Sequence, residues 1–309
     1  MSNKSIVILF PYFGKLPVQY KMWRESAIRN STIDFMFFTD ANVAPAENII
    51  VHKMEFCDFK QIVQKAFDFP IVLNRPYKLC EYKQAYGHIL KEYIKNYDFW
   101  GFGDLDLVYG NIRAFLTENI LTHKFLLGWG HLTLIHNDED SNTYFMKKEK
   151  GYQNYQEAFT TTRITFFDEF NHKGCSDKWR DLRPNDCWLQ EPFDNISRPK
   201  ESFHFCSLNR GWQQVIFEHL EAKLFMLRYY NGKIEKRESL YAHFQHRNNM
   251  KDRVTNYNHF IVTPRAIIDY PKRLVSLHIR FLCRKRILMT KYYQWRDYII
   301  WRLNLGYER

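Results

Sequence analysis

The chain has 309 residues, of which 45% are hydrophobic and 17% aromatic, with only 12 Gly and 10 Pro. This composition excludes a fibrous or intrinsically disordered chain and provides material for a sizeable core. The formal net charge of +11 is concentrated at one end, because residues 272–309 hold ten Lys/Arg and two Asp/Glu. The rest of the chain is close to neutral, so the body of the protein is not expected to bind nucleic acid.

Neither a membrane span nor a secretion signal is predicted. No uncharged apolar run approaches the roughly 18 residues that a membrane-spanning helix needs. The first apolar run, Ile6 to Phe10, is too short for the hydrophobic region of a signal peptide and is followed by Pro11. The six cysteines show no C-x-x-C pairing, as is typical of reduced thiols. We therefore expect a cytoplasmic protein.

Strands and helices are predicted to alternate along the first hundred residues, because β-prone apolar runs are separated by segments with helical spacing of apolar residues. The predicted elements are a strand over 5–10, a helix over 18–29, strands over 33–38 and 49–54, a long helix over 78–97 and a strand over 99–102. A strand pair is predicted over 124–135, loops and helix over 141–170, and β-structure over 222–248. This pattern predicts an α/β fold with an open sheet that binds ligands at the carboxyl ends of its strands.

The most specific motif is Asp104-Leu105-Asp106, which follows the apolar run over 99–102. Alternate side chains of an extended chain point to the same face, so both carboxylates should point the same way. Two like charges at one place favour a bound cation, and carboxylate oxygens are ligands that suit Mg²⁺ and Mn²⁺. Such an ion commonly binds the oxygens of a diphosphate as well. The motif predicts a metal and diphosphate site, with a solvated turn as the alternative.

Six short segments, taken in chain order, carry a resemblance to a known family. They are Ile8-Leu9-Phe10-Pro11-Tyr12-Phe13-Gly14-Lys15, Phe38-Thr39-Asp40, Arg75-Pro76-Tyr77-Lys78-Leu79-Cys80-Glu81-Tyr82-Lys83, Asp104-Leu105-Asp106, Asp168-Glu169 and Tyr241-Ala242-His243-Phe244-Gln245. In this order they resemble the GT-A type nucleotide-sugar glycosyltransferases, in particular bacterial enzymes of capsule and lipopolysaccharide biosynthesis. The resemblance extends over most of residues 5–250.

The resemblance implies a GT-A fold, which is a Rossmann-like mixed sheet flanked by helices, with residues 1–271 as the catalytic domain. The ends of two strands would line the nucleotide pocket and bind a UDP-sugar, or alternatively a GDP-sugar, through Pro11, Tyr12, Phe13, Thr39 and Asp40. Asp104 and Asp106 would hold a metal ion on the donor diphosphate. His243 would complete the metal coordination, because a late histidine does so in several metal-dependent GT-A families. An imidazole ligand favours Mn²⁺ over Mg²⁺.

A diphosphate leaving group needs positive charge where its negative charge develops. Lys78 and Lys83 lie near the N-terminal part of the predicted helix over 78–97, whose amide groups would add to the same field. Both lysines are therefore predicted to bind the donor together with Asp104, and a solvated helix face is the alternative. Tyr12 or Tyr77 would stack on the base.

Asp168 and Glu169 lie among aromatic residues in the sequence. A carboxylate held among aromatic rings can have a raised pKa and accept a proton from an acceptor hydroxyl, which is the general-base task in an inverting transfer. One of the two is therefore a candidate catalytic base. The alternatives are an acid on a helix surface and a ligand for an acceptor hydroxyl. Trp129 and His131 are candidates for acceptor binding, because sugar rings pack on indole faces.

Residues 272–309 are predicted to form a basic amphipathic helical tail. Apolar residues recur at helical spacing from Leu274 to Leu303, with Lys and Arg around that stripe. Such a helix can lie on an anionic bilayer with Trp295 and Trp301 at the level of the headgroups. The alternative is a terminal helix packed on the core. Because the resemblance implies a lipid-linked acceptor, we expect peripheral attachment to the inner face of the plasma membrane.

Taken together, the sequence predicts a metal-dependent glycosyltransferase. It would transfer a hexose, galactose or glucose, from a UDP-sugar to a lipid-linked capsular polysaccharide, O-antigen or lipopolysaccharide glycan. One alternative is a D-x-D phosphatase-like hydrolase with Asp104 as the nucleophile, although that motif normally follows the first strand and here at least two strands precede it. The other is a non-enzymatic basic module that binds anionic lipid or nucleic acid through residues 272–309.

Overall fold

The computed structural model describes residues 4–196, 215–230, 232–245, 250–270 and residue 295. These residues divide into two compact units. The first unit comprises the described residues up to Leu107 together with 112–192, and the second comprises 108–111 and the described residues from Phe193 onward. The sequence predicts a single domain over 1–271, so the division falls within the predicted domain. The predicted tail over 272–309 lies outside the described residues, except for Trp295, which is exposed.

The first unit mixes helices and strands. Its elements are β1 (Ile6–Pro11), α1 (Tyr20–Ile28), β2 (Asp34–Thr39), β3 (Ile49–Lys53), α2 (Phe56–Lys65), a 3₁₀ helix (Pro76–Ala85), α3 (Tyr86–Ile89), α4 (Lys91–Ile94), β4 (Phe99–Gly103), β5 (Leu107–Tyr109), α5 (Ile112–Phe115), a 3₁₀ helix (Ile120–Thr122), β6 (Phe125–Trp129), β7 (Leu132–His136), α6 (Glu139–Thr143), a 3₁₀ helix (Tyr144–Met146), α7 (Tyr155–Thr160), α8 (Cys175–Leu182), a 3₁₀ helix (Pro184–Asp186) and β8 (Cys187–Trp188). Strand β5 is the exception, since most of it belongs to the second unit.

A seven-stranded mixed sheet in the order β3-β2-β1-β4-β7-β6-β8 forms the centre of the first unit. Strands β3, β2, β1 and β4 are parallel to one another, whereas β7 is antiparallel to both β4 and β6. The uninterrupted apolar sequences of β1, β2 and β4 fit this arrangement, because parallel strands are buried on both faces. The predicted α/β class and the four predicted strands of the first hundred residues are confirmed.

Aromatic side chains fill the core of the first unit. Phe10 of β1 stacks on Phe37 of β2 with ring centroids 5.0 Å apart, and Trp23 of α1 meets Phe37 edge to face at 5.3 Å. Trp100 of β4 is fully buried, and a Cβ atom added at Gly87 of α3 would lie 2.4 Å from its indole ring. Gly87, which lies in the middle of the helix predicted over 78–97, is therefore required for the packing of this tryptophan.

The prediction of one long α-helix over 78–97 is wrong, because the structure has three shorter helices there. The segment begins as the 3₁₀ helix Pro76–Ala85 and continues as the short helices α3 and α4. In a 3₁₀ helix the side chains at i and i+3 lie above one another, and Lys78 and Glu81 form an ion pair at this spacing, 3.7 Å apart and fully buried. Tertiary contacts of these buried charges favour the tighter helix over the α-helix that the periodicity predicts.

The second unit is built mainly of strands. They are β9 (Asp194–Asn195), β10 (Val215–Leu220), β11 (Lys223–Tyr230), β12 (Lys233–Ser239), β13 (Tyr241–His243), β14 (Lys251–Arg253), β15 (His259–Val262) and β16 (Ala266–Asp269). One sheet has the order β12-β11-β10-β15-β16-β14, and a small sheet has the order β5-β13-β9. The predicted β-structure over 222–248 is confirmed where the structure describes it. Among the described residues, no helix has the length and apolar character that a membrane crossing requires.

Candidate functional site

The carboxyl ends of β1, β2 and β4 lie at one edge of the seven-stranded sheet, because these strands are adjacent and parallel. Polar residues Tyr12, Asp40 and Asp104 follow the three strands. The loop after β1 is bound to β2 and to its end: the Tyr12 N–H donates to the Phe38 oxygen at 3.0 Å, and the Gly14 N–H donates to Oδ1 of Asp40 at 2.7 Å. Ligands of α/β sheets bind at edges of this kind.

The residues predicted to bind the nucleotide all lie at this edge, but they differ in accessibility. Phe13 and Thr39 are buried. Pro11, Tyr12 and Asp40 are partly exposed and can face a ligand. Burial, together with the carboxylates of Asp106 and Asp40, raises the pKa of the Tyr12 hydroxyl above its ordinary value. Tyr12 is thus a neutral aromatic side chain in an acidic neighbourhood.

Asp104 and Asp106 lie in a short turn. The sequence predicts an extended chain here, whereas β4 ends at Gly103 and β5 begins at Leu107. Leu105 is buried and the two aspartates are partly exposed, so the predicted alternation of side chains is kept. Backbone pairing fixes the start of the turn, because the Asp104 N–H donates to the oxygen of His131 at 3.0 Å.

Lys83 links Asp104 to Asp168. Its Nζ donates to Oδ1 of Asp104 at 2.8 Å and to the backbone oxygen of Gly130 at 2.8 Å, and it lies 3.6 Å from Oδ2 of Asp168. Burial lowers the pKa of Lys83, but the two carboxylates outweigh burial and raise it above its ordinary value. The side chain is therefore an ammonium ion. Three segments that are far apart in the sequence meet at this one group.

Asp168 is buried, whereas Glu169 is exposed. Burial raises the pKa of Asp168 to about 7, although the ammonium of Lys83 acts in the opposite direction. A carboxyl group with this pKa can accept or release a proton near neutral pH. Of the two acids that the sequence offers as catalytic base, Asp168 is the one in contact with Lys83.

Lys78 does not lie where the sequence predicts a donor-binding lysine. Its side chain is fully buried, and its Nζ donates to the backbone oxygens of Ala158 (2.9 Å) and Arg163 (2.5 Å). A lysine held in this way stabilises the protein's own chain, so we assign it a structural role. Tyr77, the adjacent candidate for base stacking, is 45% exposed.

Glu81 holds the chain just before Asp168. Its carboxylate accepts hydrogen bonds from the N–H groups of Thr165 and Phe166, both at 2.9 Å, and from the hydroxyl of Thr165. Together with Lys78, it fastens the segment 158–166 to the 3₁₀ helix Pro76–Ala85, which also carries Lys83. One short helix therefore both contacts Asp168 and holds the backbone that leads to it.

Asp177 holds the chain just after Asp168. This carboxylate is fully buried and accepts hydrogen bonds from the N–H groups of Asn171 (3.0 Å), His172 (3.0 Å) and Lys173 (2.7 Å). The backbone of Asn171 and Lys173 is left-handed, with φ of 68° and 59°. Such φ values are uncommon outside glycine, and hydrogen bonds of this kind make them tolerable.

The turn between β6 and β7 lies against the two acids. A Cβ atom added at Gly130 would lie 3.0 Å from Oδ2 of Asp168 and 3.1 Å from Cγ of Glu169. The flanking rings of Trp129 and His131 stack with centroids 5.8 Å apart. The structure therefore places the turn that carries both candidate acceptor-binding residues against the candidate base, and the glycine between them makes the close approach of this turn possible.

His243 is the last residue of β13 in the second unit, and it is almost fully buried. Its Nδ1 lies 3.0 Å from Oδ1 of Asn195, and the same oxygen accepts a hydrogen bond from Nε2 of Gln245 at 2.7 Å. Because an amide oxygen only accepts, Nδ1 of His243 must carry the proton, and Nε2 is then the nitrogen with the lone pair. Partners of this kind orient metal-binding histidines.

Asp104 and Asp106, which follow β4, form the candidate metal group of the first unit. Each offers a carboxylate oxygen to an ion, and His243 of the second unit is the predicted third ligand. Two carboxylates and one imidazole suit Mn²⁺ better than Mg²⁺. The prepared tautomer of His243 and the proximity of the two carboxylates fit the ion that the sequence predicts. Metal binding itself stays a prediction.

Sequence reasoning missed two residues that shape the site, Glu81 and Asp177. Each lies in a segment with other charged residues, Pro76–Ala85 for Glu81 and Cys175–Leu182 for Asp177, so the sequence does not mark either acid as buried. A buried carboxylate is stable only when hydrogen-bond donors surround it. The donors to Glu81 include backbone N–H groups far along the chain, and the donors to Asp177 include the backbone N–H groups of residues just before it. The sequence does not show such partners.

The chain belongs to a family of unknown function, DUF6625, which matches residues 8–271. No curated protein matches it at a significant level. The match covers the sheet edge, the Asp104-Leu105-Asp106 turn, the two acids and His243.

The raised pKa of Asp168 should appear in the pH dependence of stability. An ordinary aspartate has a pKa of 3.8, whereas this one has a pKa of about 7 in the folded protein. The folded state therefore binds a proton that the unfolded state releases, so this contribution to stability is lost as the pH rises through 7. Urea unfolding of the wild type and Asp168→Asn at about pH 5 and about pH 8 should show the wild type losing stability relative to the variant. A constant difference would contradict the raised pKa.

Proposed function

We propose that the chain is a metal-dependent glycosyltransferase of the GT-A type. The observation that carries the proposal is the pair of acids Asp104 and Asp106 at the end of β4, where Asp104 accepts a hydrogen bond from Lys83. The pair lies at the sheet edge where α/β folds bind their ligands, and His243 is the predicted third metal ligand. The parallel order β3-β2-β1-β4 of the sheet also supports a Rossmann-like nucleotide-binding half.

The proposed donor is a UDP-sugar, with galactose or glucose as the transferred hexose. Tyr12 and Asp40 are partly exposed at the sheet edge and would contact the nucleotide. Mn²⁺, when bound to the acids and His243, would neutralise the charge that develops on the diphosphate during the transfer. The UDP identity rests on the resemblance described above.

In the proposed reaction, an oxygen of an acceptor hydroxyl attacks the anomeric carbon of the sugar. The bond between that carbon and the diphosphate oxygen breaks, and UDP leaves with the electron pair. Asp168 accepts the proton of the hydroxyl, as an inverting transfer requires. A pKa of about 7 makes this carboxyl a suitable acceptor at neutral pH. The turn that carries Trp129 and His131 lies against Asp168, and these two residues would bind the acceptor sugar.

The proposed acceptor is a growing glycan of a capsule, an O-antigen or a lipopolysaccharide, carried on a lipid. Peripheral attachment of residues 272–309 to an anionic membrane belongs to the same proposal. The phosphatase alternative has less support, because Asp104 follows β4, the fourth strand along the chain, whereas the phosphatase motif normally follows the first strand.

Calorimetric titration with UDP tests the proposal. We expect UDP to bind to the full chain in the presence of Mn²⁺ and to bind far more weakly after the ion is removed with a chelator. Equal binding with and without the ion would contradict a metal-dependent transferase. Release of phosphate from small phosphoesters would instead favour the phosphatase. A positive result should be followed by a screen of UDP-sugars for metal-dependent hydrolysis or transfer, which identifies the donor.

A further inference from the structure

Protein oxygens surround the ammonium group of Lys83, as they would surround a bound cation. An ammonium group has three N–H donors, and three protein oxygens surround this one. They are Oδ1 of Asp104 at 2.8 Å, the backbone oxygen of Gly130 at 2.8 Å and Oδ2 of Asp168 at 3.6 Å. The side chain is only 14% exposed, so its charge interacts with protein groups rather than with solvent.

The groups around Lys83 strengthen the interaction of its charge with neighbouring charged groups. Asp168 is almost fully buried, and the Nζ of Lys83 lies 5.8 Å from the centre of the buried ring of Phe102. Charges interact more strongly where apolar groups exclude water. Asp104 is the acid that Lys83 shares with the candidate metal group, so the ammonium and a bound divalent ion would repel each other across one carboxylate.

We propose that Lys83 is a positioning residue that acts as an internal cation: it holds Asp104 beside Asp168 and lowers the affinity of the acids for a divalent ion in the absence of nucleotide. This inference rests on the proposed function and concerns the regulation of the same site. The expected consequence is coupled binding. The ion binds weakly alone, and it binds tightly when a diphosphate adds the negative charge that Lys83 has offset.

The first experiment titrates the full chain with Mn²⁺ alone and follows the electron paramagnetic resonance signal of the unbound ion. Lys83→Met removes the charge and keeps a side chain of similar length. We expect this variant to bind Mn²⁺ about tenfold more tightly than the wild type. Lys83→Arg keeps the charge and should restore the wild-type affinity to within about twofold, which a role in packing alone does not predict. Lys91→Met, which removes an exposed positive charge on α4, is the matched control and should have no effect.

A second variant tests the link to Asp168, and it does not depend on the folding of Lys83→Met. Asp168→Asn leaves Lys83 with one carboxylate, so the ammonium should hold Asp104 more strongly and weaken Mn²⁺ binding by about fivefold. Asp168 is outside the candidate metal group. An effect that passes through Lys83 should disappear when Asp168→Asn is made in the Lys83→Met background, whereas direct attraction between Asp168 and the ion would persist there.

The coupling is measured by repeating the titrations with saturating UDP. In the wild type, UDP should raise the affinity for Mn²⁺ strongly, and in Lys83→Met the increase should be smaller by about the factor that the variant gains without UDP. Unchanged or weaker Mn²⁺ binding by Lys83→Met, or no effect of Asp168→Asn, would overturn the role of Lys83 while leaving the transferase proposal intact. A wild type that binds no Mn²⁺ even with UDP would overturn both.

Discussion

Asp106→Ala should abolish metal-dependent binding of UDP. The substitution removes one of the two carboxylates of the candidate metal group. It leaves Asp104, one oxygen of which already accepts a hydrogen bond from Lys83. Loss of a residue that merely orients a metal ligand typically costs 10–100-fold in affinity, so loss of a ligand should cost at least about 100-fold. Calorimetric titration of UDP in the presence of Mn²⁺ measures the effect.

Two further variants make this prediction specific. Asp106→Asn keeps the size of the side chain and removes the charge, so it should lose binding to a similar extent. Asp68→Ala removes an exposed acid elsewhere in the first unit and should bind UDP as the wild type does. Wild-type affinity in Asp106→Ala would exclude the proposed metal site, and with it the proposed transfer.

Lys78→Met should strongly destabilise the first unit. Lys78 and Glu81 are both fully buried, and removal of the lysine leaves a buried negative charge with only its amide and hydroxyl donors. Breaking a buried ion pair from one side typically costs about 3–5 kcal/mol. Urea unfolding should show a loss of free energy of unfolding in this range.

The double variant Lys78→Met/Glu81→Gln serves as the comparison for this loss. Both members of the pair are neutral in the double variant, so no buried charge is left uncompensated. Glutamine still accepts hydrogen bonds from the Thr165 and Phe166 N–H groups, so the loss of stability should be smaller than in the single variant. Lys91→Met, on the surface, should change the stability by no more than about 0.5 kcal/mol. If the single variant is as stable as this control, the buried pair contributes nothing to the fold.

The central sheet could be predicted because its strands carry their own signal. The apolar runs of β1, β2 and β4 are unusual for anything except strands buried on both faces, and they are confirmed. The turn with Asp104 and Asp106 could be located for the same reason, because polar residues at the end of such a run must leave the core. These are local properties, so one sequence is enough to show them.

The form of the segment 78–97 could not be predicted, because distant parts of the chain determine it. Lys78, Glu81 and Lys83 have the spacing of a solvated helix face, and their partners lie some 50 to 90 positions further along the chain, except for Asp104. The same reason explains why Lys78 is buried against backbone oxygens while Lys83 contacts Asp104 and Asp168. Two lysines in one short helix have different partners, and nothing in their sequence neighbourhood distinguishes them.

The two buried carboxylates that flank Asp168 have a consequence for divergence within the family. Glu81 and Asp177 bind mainly backbone N–H groups, which every residue except proline provides. Side chains such as that of His172 can therefore be exchanged over evolution without loosening the segment, whereas proline there would release it. At Asn171 and Lys173 the left-handed backbone is a second constraint on the residue type, because it favours glycine and asparagine and disfavours branched residues. In the proposed transferase, a segment that is rigid in its main chain and variable in its side chains would allow the acceptor preference to change while Asp168, the proposed proton acceptor, stays in place.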